Sequence, residues 1–355
     1  MSAARRNRLI LTCGVISAIL AALILNACTS SSASPRTGPA ASASPRPSAS
    51  PSASPSPSPV PTAPPAGTAG SYQVGQQEMT FTEPAHSGPT GQALPPRSLI
   101  TTIQYPLAQG SATQPPRGPF PLILFAPGYQ QCASAYGDLL QTWASAGYIV
   151  AAVTFPQTNC QLSKKTADEN DLVNQPQDMS FVLSSLLALS AQPSGLLSGL
   201  VNRQEIAAAG QSDGGDTVAA LVGNTCCTDT RVRAAAVLSG AEWPAMPGQY
   251  FTHSTPPILF TQGNADNVNP PAASVALYRG DMAGPRYYLN LLGASHLSPY
   301  EARTAAEQVV VRVTLAFFNG YVLDQAGAPA AISQAGNVGG TSALGSGGHV
   351  PRHAG

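Results

Sequence analysis

The sequence predicts an α/β fold, a mostly parallel central sheet with helices on both faces. Three observations carry that prediction. Between residues 71 and 324, short apolar runs alternate with longer stretches whose apolar residues recur at helical spacing. The chain is 43% hydrophobic and only 10% charged, so it can bury a sizeable core. One apolar run also leads through a glycine-rich turn, Gly210-Gln211-Ser212-Asp213-Gly214-Gly215, into a helical stretch.

Residues 121–126 (PLILFA) are a buried strand, and 136–146 a helix ended by Gly147. The next strand is 148–154, followed by a long helix from 171 to about 189 carrying Phe181, Leu183, Leu186 and Leu187. A strand at 205–209 precedes the glycine-rich turn, and 216–222 continue as a helix. Residues 234–238, 257–261 and 287–291 are three more strands, and 302–318 form a closing helix. The segments near Tyr72 and Leu99 read as additional antiparallel strands.

The flanks differ in composition. Arg5, Arg6 and Arg8 precede an apolar run, 9–27, as in an export signal. That run ends in Leu25-Asn26-Ala27-Cys28, which resembles a bacterial lipobox, so residues 1–28 are expected to be a lipoprotein signal with lipidation at Cys28. An uncleaved anchor is the other reading, since about 18 apolar residues can span a bilayer. Residues 29–70 are rich in Ser, Ala and Pro and bury little, so they are expected to be a disordered tether. The tail, 325–355, is rich in Gly and Ala without periodicity and is also expected to be disordered. The expectation is therefore one exported domain, 71–324, anchored to a membrane through its N-terminus and monomeric.

Lys+Arg and Asp+Glu are both 17, so the chain lacks the basic surplus of a nucleic-acid binder. With Cys13 and Cys28 in the leader, Cys132, Cys160, Cys226 and Cys227 remain for an oxidising compartment. Four cysteines allow three pairings. Cys132 and Cys160 each follow a strand end, which favours Cys132–Cys160 and leaves Cys226–Cys227 as a vicinal bridge. No C-x-x-C or histidine spacing supports a zinc site, and neither metal nor cofactor is expected.

Gly210 to Gly214 fits G-x-S-x-G, in which small residues let a strained strand-to-helix turn present a serine. The pattern is weak alone and needs partners. A serine hydroxyl requires a base, and the base an orienting carboxylate, in the chain order Ser, Asp or Glu, His. Of five histidines, His86 and His253 come too early, while His349 and His353 fall in the tail, which leaves His296. Asp266, directly beyond a strand, is the favoured carboxylate, and Asp281 and Glu242 are the alternatives. The oxyanion donors are expected to be the N–H groups of Asp213 and of Tyr129, in the turn after the first buried strand.

Pro127-Gly128-Tyr129, residues 144–153, the Ser212 turn, residues 263–270 and Leu292-Gly293-Ala294-Ser295-His296 together resemble the α/β-hydrolase superfamily. The resemblance is to the branch of dienelactone-hydrolase-like proteins, platelet-activating-factor acetylhydrolases and bacterial cutinases. It implies an α/β-hydrolase fold, a Ser212–His296–Asp266 triad, Tyr129 and Asp213 as oxyanion donors, and a small or polymeric ester as substrate. It also implies that Trp243 walls the acyl group, a core tryptophan being the alternative. The acidic Asp213 departs from the branch, where an apolar residue is usual; its side chain would disfavour anionic substrates or point at solvent. An acyltransferase, lipase, polyester hydrolase or peptidase on the same triad, and a noncatalytic surface lipoprotein, are the rival readings.

Overall fold

The computed structural model describes residues 66–351. The expected signal, the Cys28 lipidation site, the tether up to residue 65 and His353 lie outside the described residues.

The chain opens with β1 (Val74–Glu83), a small hairpin of β2 (His86–Ser87) and β3 (Ala93–Leu94), and β4 (Arg97–Pro106). Then follow β5 (Phe120–Ala126), α1 (Gly137–Ser145), β6 (Ile149–Thr154), α2 (Gln175–Ser190), β7 (Val201–Gln211), α3 (Asp213–Gly223) and β8 (Ala234–Leu238). The second half holds β9 (Ile258–Gly263), α4 (Pro271–Gly280), β10 (Arg286–Leu291), α5 (Ser298–Glu301), α6 (Ala305–Tyr321), α7 (Ala328–Gly336) and β11 (Ser342–Ser346). One nine-stranded sheet runs β1-β4-β6-β5-β7-β8-β9-β10-β11. The strands from β6 to β10 in that order are parallel, while β1, β4 and β11 pair antiparallel at the two edges. This is the α/β-hydrolase fold that the sequence predicts.

Strand alternation sorts the side chains into two cores. On β5, Leu122 and Leu124 face Met179, Leu183 and Leu186 of α2 and Val218 and Leu221 of α3. Ile123 and Phe125 face Trp143 of α1 and Val310, Phe317 and Phe318 of α6. Trp143 Nε1 donates to Thr314 Oγ1 at 2.9 Å, so the two helices on that face are joined by a satisfied polar contact. The α6 helix begins at 305 rather than 302 because Thr304 caps it, its hydroxyl accepting the Glu307 N–H at 3.0 Å.

On the other face, buried Arg97 binds Asp178 (2.7 Å) and Asp171 (2.7 and 2.8 Å) through both arms of its guanidinium. The fork ties the start of β4 to the turn that leads into α2. A buried cation held this way is costly to leave alone and well held when paired.

The expected tail corrects itself. Instead of being disordered, residues beyond 325 form α7 and β11, and β11 pairs with β10 from Leu291↔Ser342 to Tyr287↔Ser346. Ile332 is fully buried, and Leu344 packs against the same core as α6. Alanine and glycine gave no periodic signal, yet their small size lets α7 lie close along α6. The N-terminal boundary moves too: residues 66–70, expected in the tether, rest on α1 and α6. Gly67 N–H donates to Ala146 O at 2.6 Å, Asn319 Nδ2 to Gly67 O at 2.8 Å, and Gly70 N–H to Ser145 Oγ at 2.9 Å. Among the described residues no helix is long and apolar enough to cross a membrane.

An integral tail has a measurable consequence. Ile332→Ala should lower unfolding stability by about 2–5 kcal/mol in chemical denaturation; an unchanged midpoint would mean that the tail does not pack.

Candidate active site

The strand β7 ends at Gln211 and α3 begins at Asp213, so Ser212 alone makes the turn, at φ 56° and ψ −125°. That positive φ is costly for a side-chain-bearing residue and persists only where the surroundings hold it. Two glycines do so. A Cβ on Gly210 would collide with the Gly214 carbonyl, and one on Gly214 with the Ala126 carbonyl. Ser212 N–H is anchored to Leu238 O of the adjacent β8 at 2.9 Å.

The loops after β9 and β10 bring the partners. His296 Nε2 lies 2.8 Å from Ser212 Oγ, and His296 Nδ1 lies 2.7 Å from Asp266 Oδ2. Asp266 Oδ2 also accepts from Gln262 Nε2 (2.8 Å), and Oδ1 accepts from the N–H groups of Val268 (2.9 Å) and Asn269 (3.0 Å). An acceptor-only carboxylate at Nδ1 places the ring proton there and leaves Nε2 to accept from the serine hydroxyl. Ser212, Asp266 and His296 are all buried, with at most 9% of any of them exposed, so the chain of hydrogen bonds is largely shielded from water. The alternative carboxylates are elsewhere: Asp281 takes the Thr255 hydroxyl at 2.7 Å, and Glu242 is exposed. His253 meets Thr228 Oγ1, and His86 meets Pro84 O.

The turn after β5 faces the serine. Gly128 sits so close that a Cβ there would lie 3.1 Å from Ser212 Cβ. The N–H groups on either side of Tyr129 are used internally: Gly128 donates to Tyr136 Oη at 3.0 Å and Gln130 to Thr158 O at 2.7 Å. A bridge between Gln131 and Asn159 and the Cys132–Cys160 disulfide tie the same turn to the loop after β6. Closing that 28-residue separation stabilises by about 3–4 kcal/mol on the chain-entropy estimate.

Of the two expectations for the Asp213 side chain, disfavouring anionic substrates or pointing at solvent, the second does not hold. Asp213 is 7% exposed and its Oδ2 has no hydrogen-bond partner among the described residues. Burial, helped by repulsion from Glu169, pushes its carboxyl up to about 7. Asp216, in the same first turn of α3, is also raised well above the usual carboxylate range by burial, although Ala241 N–H donates to it at 2.5 Å. Both carboxyls sit where a growing helix has no intrahelical acceptors for its N–H groups.

Trp243 is half-buried, packed with Cys226, Cys227 and Tyr250 against Leu172, Val173, Ala220 and Met246. The second disulfide, Cys226–Cys227, thus belongs to a small apolar cluster beyond the end of α3. A cleft of about 840 Å³ opens at the same end of the sheet, lined by Pro95, Pro96, Pro156, Gln157, Val173 and Ala245 among others, but not by the triad. Among the described residues no group of His, Cys, Asp and Glu is arranged to hold a metal ion.

The sequence reading did not single out Gln262, which holds Asp266, or Gln211 and Tyr136, which lie beneath the serine. Gln211 occupies the variable position just before Ser212, and Gln262 the position before the last residue of β9; a polar residue at the buried C-terminal end of a strand is the signal that marks both.

The chlorophyllase family model matches residues 68–281, more than half of the chain, spanning Ser212 and Asp266 and ending before His296. No curated protein matches the chain. With that match on a nine-stranded, mostly parallel sheet, the chain belongs to the chlorophyllase family, an α/β-hydrolase-like family of ester hydrolases.

Proposed function

We propose that this protein is an exported serine carboxylesterase. The observation that carries the reading is the unbroken chain from Ser212 Oγ through His296 to Asp266, with both steps under 3 Å. In this mechanism His296 Nε2 takes the Ser212 proton as Oγ attacks the ester carbonyl. The N–H groups of Tyr129 and Asp213 stabilise the oxyanion that forms. Collapse expels the alcohol, which takes the proton from His296, and leaves an acyl-Ser212. Water, deprotonated by His296, then attacks the acyl group, and as the bond to Ser212 Oγ breaks His296 returns that proton to Oγ, releasing the acid and free Ser212. Asp266 keeps the imidazole in one tautomer and stabilises the imidazolium.

Export is supported by the two disulfides and by the basic-then-apolar N-terminus ending at Cys28, where lipidation would anchor the domain to a membrane surface. Asp213, beside Ser212, ionises as pH rises through about 7, and its charge then favours neutral over anionic esters.

One measurement tests this reading. The purified protein should hydrolyse neutral p-nitrophenyl esters, and Ser212→Ala should lower kcat by about 10⁴-fold or more; activity that survives the substitution would sink the assignment. A separate measurement, of stability against pH, tests the burial of Asp213. A carboxyl raised to about 7 in the folded state stabilises the fold while protonated, and that contribution is lost as pH rises through 7. Asp213→Asn should therefore gain stability over the wild type between pH 5 and pH 8, on the order of 2–4 kcal/mol. Equal differences at both pH values would place the carboxyl in water.

A further inference from the structure

Beneath Ser212 a second hydrogen-bonded chain joins the two loops that the proposed reaction needs. Gly128 N–H, in the oxyanion turn, donates to Tyr136 Oη at 3.0 Å. Tyr136 Oη in turn donates to Gln211 Oε1 at 2.8 Å. Gln211 Nε2 donates to the backbone carbonyl of His296 at 3.2 Å and lies 3.4 Å from His296 Nε2. The directions are internally determined. The His296 carbonyl can only accept, so the amide nitrogen of Gln211 must face it and its oxygen must face Tyr136. The Tyr136 hydroxyl accepts from Gly128 and so has its own proton free for Gln211. Tyr136 and Gln211 are both fully buried, where an unpaired amide or phenol is expensive, so the chain has little freedom to open.

We infer that Gln211 and Tyr136 act as one positioning unit, setting the oxyanion turn and the His296 loop in register with Ser212. This rests on the serine-hydrolase reading given above. Gln211 is covalently next to the nucleophile, so the unit measures both loops from the nucleophile itself. The Tyr136 side of the unit holds the peptide before Tyr129, whose N–H is the proposed oxyanion donor; the Gln130 bond to Thr158 holds the peptide after it. The amide side holds the backbone of the proposed base. Neither residue touches the reacting atoms of an ester in this scheme, and each acts through the loop it holds. A displacement of about 1 Å in either loop is enough to cost on the order of 100-fold in rate.

The test is a double-mutant cycle on the purified protein with p-nitrophenyl butyrate, using Tyr136→Phe and Gln211→Met and the Ser212→Ala variant as reference. Tyr136→Phe removes a single oxygen and leaves the ring in place against Phe125, so it separates positioning from folding. Each single variant should lower kcat about 10–100-fold with KM within about two-fold, because the lost interaction matters in the transition state rather than in substrate binding. The double variant should be no slower than the slower single, since breaking the chain at either link frees the same loops. Losses that multiply, a change in KM at constant kcat, or a loss under three-fold in Tyr136→Phe would overturn the positioning unit while an inactive Ser212→Ala kept the esterase reading intact. An inactive wild type would remove both.

Discussion

The site depends on how closely three stretches of backbone approach one another at the start of α3. Gly210 and Gly214 have no Cβ because the Gly214 and Ala126 carbonyls occupy that space. The contact bends the chain sharply enough to hold Ser212 at a positive φ, and it draws the turn after β5 against that serine. Strain at Ser212 is maintained by packing on all sides, since β7 lies between β5 and β8 in the middle of the sheet. A side chain at either glycine would separate the serine from the proposed oxyanion donor and the helix from its strand in one move.

Around that contact the architecture divides its labour. Parallel strands deliver β5, β7, β9 and β10 to the same edge, so loops far apart in sequence converge without any of them being long. Each loop is then tied down by different means. The turn after β5 is held by the Cys132–Cys160 disulfide and by Tyr136, the Asp266 loop by Gln262 and two backbone N–H groups, and the His296 loop by Gln211 and Asp266. Loops are ordinarily the mobile parts of a fold, and catalytic geometry needs them within a fraction of an ångström. Buried amides and a disulfide supply that rigidity here, at the cost of desolvating several polar groups.

The buried acids on α3 have a different physical status. Asp213 and Asp216 gain little from their surroundings and resist ionisation, so the first turn of the helix carries carboxyls that destabilise the fold at neutral and alkaline pH. Residues of this kind persist in a fold where they serve the site rather than stability. No cation on that helix compensates the charge that either carboxyl takes on when it ionises.

Much of this was readable from residues alone, for a local reason. Fully apolar runs, helical spacing and the Gly-x-Ser-x-Gly turn are short-range patterns, and with chain order they suffice for the central strands and for naming Ser212, His296 and Asp266, which the structure brings into one hydrogen-bonded chain. The disulfide pairing followed from strand ends for the same reason. Sequence order could not reveal contacts made between distant segments. The burial of Asp213, the packing of α7 and β11 on the sheet edge, and the Gly128–Tyr136–Gln211–His296 chain each depend on what lies opposite in space. A glutamine or an alanine carries no pattern of its own. Only the tertiary structure decides whether it is surface, core or the strut beneath a nucleophile, because burial and hydrogen-bond partners are properties of neighbours, not of the residue.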